Sequence, residues 1–507
     1  MATEEAAAGV HVLMVAFSSQ GHINPMLRLG KRLASKGLHV TLASTEIARH
    51  RMLKAIANNS TTASSNSNNV EATDGTTTIR LEFFSDGFSL DYDRGKDVDH
   101  YMDCLAKFGP ENLSNLIDNL SSTNGQKFSC VINNPFVPWV ADVAARHNIP
   151  CAMFWIQPIS LYAIYYRFYN EMNPFPTLTN PDMSVRLPGL PSLQTEDLPS
   201  FVLPSNPFGS FPKMFRELFR NLKKVKWVLG NSFYELEKDV IESMELYPIR
   251  PIGPLVPSAL LGEGDGEQRD IGFEMWAAEE LCIEWLDKKP PSSVVYVSFG
   301  SIVVLSAKQM ENIAMALKKS NRPFLWVVKQ PEHAVSDGTG QLPPGFLEET
   351  EGRGLVVSWS PQTRVLAHPA VACFISHCGW NSMLETVVAG VPVIALPQWT
   401  DQPTNAKLMV DVFQMGLRLR PDQDGVVSKE EVEMCIEEIT SGPRSEELKK
   451  KAAQWKEEAR KAVAQGGSSD RNIQLFVDEI VGKYSTSSPT QGDIKTEEDV
   501  MQCVEEK

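Results

Sequence analysis

The chain has 507 residues, 42% of them hydrophobic and 22% charged; that balance is soluble and globular, and the length is too great for one core, so two or three domains are expected. A formal net charge of -15 repels phosphate backbones, which excludes nucleic acid as a partner and requires a local electropositive device for any anionic ligand. No apolar run reaches the roughly 18 residues needed to span a bilayer, the acidic start lacks the basic head of a signal peptide, and the eight cysteines are scattered with no CxxC pair, so a cytoplasmic, reducing location without stable membrane insertion is expected.

Short, nearly all-apolar runs alternate with longer helical stretches. The expected strands are 10–17, 38–44, 79–84, 130–133, 150–155 and 228–231 in the first half, then 294–299, 324–328, 354–358, 373–376, 391–395 and 416–419 in the second. Runs of this kind fit strands buried on both faces of a parallel sheet, and the helices between them imply right-handed βαβ units. The pattern occurs twice, so the fold class is α/β with two doubly wound, Rossmann-like domains. These are placed at 1–250 and 276–460, joined by a Pro- and Gly-rich linker at 251–275 and followed by a helix at 461–484 and a polar, acidic tail at 485–507. The Asn-, Ser- and Thr-rich segment 58–78 buries too little apolar area to offset its ordering entropy, so it is expected to be a mobile loop.

Just past the first strand stands His22, in Ser-Ser-Gln-Gly-His-Ile-Asn-Pro-Met. Pro25 marks the first position of a helix expected to begin near Asn24. The loop after a first parallel strand opens on the sheet edge where doubly wound folds bind ligands. A helix N-terminus beside His22 favours neutral imidazole, the form a general base needs near pH 7.

Further on, Trp359 to Gln402 reads WSPQTRVLAHPAVACFISHCGWNSMLETVVAGVPVIALPQWTDQ. It contains a strand, a tight turn at His377-Cys378-Gly379 and a helix starting near Trp380. Gly379 is expected to let the backbone turn and a ligand approach. The N–H groups at the start of the new helix, with Asn381 and Ser382 in its first turn, form an anion site. Glu385, one turn after Asn381, shares its face; a carboxylate there can accept both hydroxyls of a ribose. Taken singly, Trp359 reads as core, His377 as a strand-end residue and Glu385 as a solvated helix face; the joint spacing argues otherwise.

This block resembles the signature box of plant family-1 UDP-glycosyltransferases, in register over its full length. The resemblance implies a GT-B fold, two Rossmann-like domains facing each other across a cleft, with the C-terminal helix returning to the first domain. It places Trp359 against uracil and Ser360 and Gln362 around base and ribose. His377, Trp380, Asn381, Ser382 and, after strand 294–299, Ser301 fall on the diphosphate, Glu385 on the ribose, and Trp399, Asp401 and Gln402 on the sugar hydroxyls. The final Gln implies UDP-glucose as co-substrate. The Gly-His position makes His22 the general base of an inverting displacement, with no metal and no further cofactor.

Most members of the family carry an Asp against this histidine; the equivalent position here is Asn134, in Ile-Asn-Asn-Pro-Phe-Val-Pro-Trp. Asn orients imidazole but cannot offset its charge, and a carboxylate acceptor, already ionised at pH 7, needs little deprotonation. That run also resembles the branch that makes glucose esters of hydroxycinnamic and gallic acids. Expected, therefore, is a glucosyltransferase acting on small aromatic acids or flavonoids, active as a monomer. Attack through phenolic oxygen or ring carbon stays open, as does a catalytically inactive nucleotide-sugar-binding protein; a dinucleotide oxidoreductase is disfavoured because no GxGxxG follows a strand. The acceptor pocket is expected to use aromatic and polar residues of the first domain: Phe88, Phe136, Trp155, Gln157 and Tyr162.

Overall fold

The computed structural model describes residues 9–59, 70–73, 77–244, 247–262, 281–300, 303–329 and 339–482. Ser301, the tail 485–507 and parts of segments 58–78 and 251–275 lie outside the described residues.

The first sheet contains β1 His11–Val15, β2 His39–Thr45, β3 Val70–Thr73, β4 Thr78–Phe84, β5 Cys130–Asn133, β6 Cys151–Trp155, β7 Val225–Gly230 and β8 Ile249–Pro251. Its spatial order is β3-β4-β2-β1-β5-β6-β7-β8. The second contains β9 Val294–Ser298, β10 Phe324–Val327, β11 Gly354–Val357, β12 Val371–Ser376, β13 Val393–Ala395 and β14 Gly416–Arg418, in the order β11-β10-β9-β12-β13-β14. All neighbours run parallel except β3 against β4.

Both sheets are covered on both faces, which is why their strands read as unbroken apolar runs. In β1, Leu13 and Val15 point into one core with Trp139, Trp155 and Phe215, while Val12 and Met14 point into another with Ile23, Leu27 and Phe476. In β9, Val294 and Tyr296 pack to one side and Val295 and Val297 to the other.

The described parts of two segments expected as loop and linker are ordered structure. In segment 58–78, the helix Glu46–Asn59 runs through Asn58, and Val70–Thr73 pairs antiparallel with β4, Val70 opposite Leu81 and Ala72 opposite Ile79. An edge strand tolerates the polar residues that suggested a loop. In the linker, 251–262 is packed: Ile252, Leu255, Val256, Leu260 and Leu261 are buried, and Leu255 N–H donates to Asn231 Oδ1 at 2.9 Å.

The chain returns to the first sheet near its end. The helix Ser445–Val463 lies on the second domain, the backbone turns through Gly466 at φ +76°, and the helix Ser468–Val481 buries Ile473, Phe476 and Val477 in a core of the first sheet. Arg250 pairs with Glu479 at 2.8 Å, and Asn472 Nδ2 donates to the Pro251 carbonyl at 2.8 Å. Among the described residues no helix is long and apolar enough to cross a membrane.

Phe476 is 1% exposed and meets Trp227 edge-on at 5.3 Å between ring centroids. Phe476→Ala will cost about 3–5 kcal/mol, read as a lower urea midpoint for the domain built on the first sheet. An unchanged midpoint would show that this last helix adds nothing to its stability.

Candidate active site

Strand order decides which loops meet. In the first sheet the chain runs outward from β1 through β2 to β4, then reverses at β5, which lies on the other side of β1. The loops after β1 and β5 therefore leave side by side, with Val15 opposite Asn133. Such a reversal opens a crevice at the carboxyl ends of the strands. It holds His22 from one loop and Asn134 from the other.

The helix begins earlier than Pro25 implied. It spans Gln20–Ser35, with Ser19 as N-cap and Pro25 inside it, so His22 sits in its first turn. Proline has no N–H and removes the bond to the carbonyl four residues back; here that carbonyl is Gly21. The Gly21 oxygen instead accepts Asn381 Nδ2–H across the cleft at 2.9 Å.

His22 Nδ1 lies 2.9 Å from Asn134 Oδ1. The same oxygen accepts the Phe136 N–H at 3.1 Å, which fixes the amide orientation and makes His22 Nδ1 the donor. The lone pair is then on Nε2, which takes no partner among the described residues. Phe17 and Phe136 stand edge-on to the imidazole, at 5.1 and 4.5 Å. Burial in this setting lowers the His22 pKa from 6.5 to about 4, against the opposing pull of the Asn134 hydrogen bond. Neutrality thus comes chiefly from desolvation. Asn134 is itself 0% exposed, and its Nδ2 has no partner.

The second sheet repeats the arrangement. Its reversal lies between β9 and β12, Ser298 opposite Ser376, so the turn at His377–Gly379 adjoins Gly300. The left-handed residue of this turn is Cys378, at φ +67°; Gly379 is extended, at φ -60° and ψ 139°, and serves as N-cap. This corrects the turning role expected of Gly379. What the glycine supplies is room, since a Cβ there would lie 2.7 Å from His377 Nε2, and one on Gly300 2.7 Å from His377 Cε1. Burial lowers the His377 pKa to about 4, and its Nδ1 is enclosed without a protein partner, a position a ligand atom can satisfy.

The helix Trp380–Ala389 starts at this turn. Trp380 is 3% exposed, and its indole donates to the Asn231 carbonyl at 2.8 Å; its side chain anchors one domain to the other, leaving only its backbone N–H at the helix opening. Gln362 Nε2 donates to Ser382 Oγ at 3.0 Å and to Glu385 Oε2 at 2.8 Å. Tyr296, which the sequence reading missed, holds this group from beneath: its hydroxyl is 2.8 Å from Ser360 Oγ and donates to Gln362 Oε1 at 3.3 Å. Only its place on an apolar strand was visible in sequence. Trp359 is half-buried.

At the other end, Asp401 accepts from Thr400 Oγ1 and from Asn405 Nδ2, both at 2.7 Å. Its burial raises its pKa, against hydrogen bonds that include one from Gln157. Gln157 of the first domain is buried beside this carboxylate. Gln402 Oε1 accepts the N–H groups of Gln398 and Trp399 at 2.9 and 3.2 Å, which leaves its Nε2 for a ligand. Trp399 lies 5.7 Å from Phe208 of the first domain.

The aromatic candidates divide. Phe136, against His22, and Phe88, stacked on Tyr92 at 4.1 Å, are both partly accessible. Trp155 and Tyr162 are 0% exposed and pack together at 5.5 Å. They are core, which corrects their assignment to the acceptor pocket: an aromatic ring at a strand end reads the same in sequence whether it faces the core or the cleft. Among the described residues no group of three His, Cys, Asp or Glu side chains could hold a metal ion.

Residues 279–449 match the family described as UDP-glucoronosyl and UDP-glucosyl transferase. The chain is 46% identical to UDP-glycosyltransferase 84B1 of Arabidopsis thaliana, over 93% of this chain and 97% of that protein. It is 44% identical to gallate 1-beta-glucosyltransferase 84A24 of Punica granatum, over 93% and 89%. Its fold matches the crystal structure of Os79 from O. sativa in complex with UDP, with a TM-score of 0.80 and 33% identity, over 92% of this chain and 100% of that one. With a signature box, two facing parallel sheets and full-length relatives all in agreement, the chain belongs to the plant UDP-glycosyltransferase family, a glycosyltransferase of GT-B fold in the branch that holds the gallate glucosyltransferases.

Proposed function

We propose that this chain transfers glucose from UDP-glucose to the carboxylate of a small aromatic acid, with inversion at the anomeric carbon and His22 as general base. The observation that carries the reading is the His22–Asn134 pair: an imidazole held neutral, with its free Nε2 between the two domains and a neutral amide behind it.

In this reading Trp359 stacks on uracil, with Ser360 and Gln362 around the base and ribose and Glu385 accepting the ribose hydroxyls. The diphosphate lies against the opening of the helix Trp380–Ala389, near His377, Asn381 and Ser382. Helix N–H groups supply the positive potential that an acidic protein lacks elsewhere. Trp399, Asp401 and Gln402 contact the sugar, while Phe88 and Phe136 border the acceptor. An acceptor oxygen attacks the anomeric carbon from the face opposite the diphosphate, the bond to the diphosphate oxygen breaks, and UDP departs with the electron pair.

The acceptor class follows from the strength of the base. An imidazole of pKa about 4 is a poor match for a phenol near ~10 and a good one for a carboxylic acid near ~4. A carboxylate enters already ionised, so His22 removes a proton only from the minor acid form. No imidazolium has to be stabilised, and Asn134 suffices where a phenol acceptor would call for Asp.

His22→Ala will lower kcat with a phenolic acceptor by roughly 10²–10⁴-fold and by less with a carboxylic acid, while the KM for UDP-glucose changes little; a variant turning over phenols at the native rate would remove His22 from the reaction. Asn134→Asp will raise the His22 pKa, read by NMR titration of the imidazole, and increase kcat/KM for phenols relative to acids. An unchanged ratio would sink the role given to Asn134. The pH profile gives a third check. A base whose pKa is depressed is active above that pKa and fails as pH falls through it. The acid limb for a phenolic acceptor, whose proton His22 must take, will therefore lie near pH 4, with activity level through pH 6.5; a limb centred near 6.5 would mean that His22 is not desolvated in the working enzyme.

A further inference from the structure

Two turns after His22, the same helix carries Arg28. Its Nη1 lies 3.8 Å from Glu385 Oε1 of the facing domain, and each side chain is only 10% exposed. The same nitrogen donates to the Leu255 carbonyl at 3.4 Å, in the packed stretch that joins the domains. The other carboxylate oxygen, Oε2, accepts from Gln362 Nε2 at 2.8 Å. Glu385 is thus held from two sides: a neutral amide from its own domain and a cation from the opposite one.

A carboxylate this enclosed needs opposite charge nearby to remain ionised. An ionised carboxylate accepts hydroxyl hydrogen bonds more strongly than a neutral acid does. At 3.8 Å the guanidinium acts as a charge rather than a donor, so this contact does not consume the acceptor capacity of Oε1. We propose that Arg28 is a positioning residue for the donor: supplied by the acceptor domain, it keeps Glu385 charged and oriented toward the ribose hydroxyls of the UDP-sugar. The proposal rests on the reading of Glu385 as the ribose acceptor. It makes the ribose site a property of both domains, complete only when the helix bearing the base is seated against the helix bearing the diphosphate site.

The test compares binding of UDP and 2′-deoxy-UDP by calorimetry in the full chain. The wild-type enzyme will prefer UDP by roughly tenfold or more, the loss expected when a hydroxyl to a charged acceptor is removed. Arg28→Met will weaken UDP roughly tenfold and bring the ratio of the two dissociation constants toward one, while Arg28→Lys, which keeps the charge, will retain most of the preference. In steady state, the Met variant will raise the KM for UDP-glucose more than it lowers kcat at saturating donor. If Arg28→Met instead lowers Tm or kcat with the ratio intact, the residue is structural and the proposal is overturned. Glu385→Gln separates the two levels. If that variant keeps the wild-type ratio, the ribose reading itself fails and the proposal with it. If it abolishes the preference while both Arg28 variants keep it, only the proposal fails.

Discussion

The Asn381 amide reaches the Gly21 carbonyl because Pro25 has no N–H to give it. One missing donor in one helix thus creates an acceptor for another domain. Without that vacancy the carbonyl would be tied into its own helix, and the first turn that carries His22 would lose this polar hold on the helix Trp380–Ala389. The contact is also specific in direction, since a carbonyl at the first turn faces the cleft only if the helix has already begun at Gln20. Trp380 adds a second tie through the Asn231 carbonyl, 2.8 Å away, and the segment around Asp197 a third. Asp197 pairs with Lys407 at 3.2 Å, and Thr404 Oγ1 donates to its carbonyl at 2.7 Å. The two domains are therefore joined beside the site as well as through the chain.

Apposition of this kind makes the electrostatics work on a chain of net charge -15. Global charge opposes an anionic donor, but partial charges at a helix opening act over a few ångströms, well inside the screening length. The same closeness dries the imidazole. His22 packs against the edge-on Phe17 and Phe136 rings, and the resulting desolvation outweighs the hydrogen bond that favours its charged form. An Asp at position 134 would reverse that balance by placing a negative charge against the ring. The amide therefore leaves the imidazole weakly basic, which in the proposed reaction favours acceptors that arrive without a proton to lose.

Much of this was legible in the sequence, for physical reasons. All twelve expected strands are present because strands buried on both faces leave an unmistakable apolar run. The signature box was legible because its polar residues keep helical and turn spacing relative to one another. What escaped has equally definite causes. Pro25 fits the first position of a helix as well as an interior one, so the helix start was placed four residues late. Cys378 adopts φ +67° where a neighbouring glycine was the natural choice, because tertiary packing can impose a left-handed residue that local preference would not. β3 was hidden in a polar segment, since an edge strand tolerates polar residues beside a buried one such as Ala72. Tyr296 and Arg28 carry no local signal: their partners lie 64 and 357 residues away in sequence, Ser360 and Glu385 respectively.

The pairing of His22 with Asn134 shows why such distant partners can still be anticipated from topology. Parallel sheets place every strand's carboxyl end on one edge, and a reversal in winding leaves one gap in the helices that cover that edge. In the first sheet the gap falls between β1 and β5, and in the second between β9 and β12. Each gap is bordered by the turns that follow its two strands: those of His22 and Asn134 in one domain, those of Gly300 and His377 in the other. Packed with the edges facing, as the contacts of Gly21 and Asn231 require, the two gaps merge into one cleft that neither domain could form alone. A loop-borne wall on one side and a helix opening on the other then follow from strand order before any side chain is considered, and the side chains decide what the cleft holds.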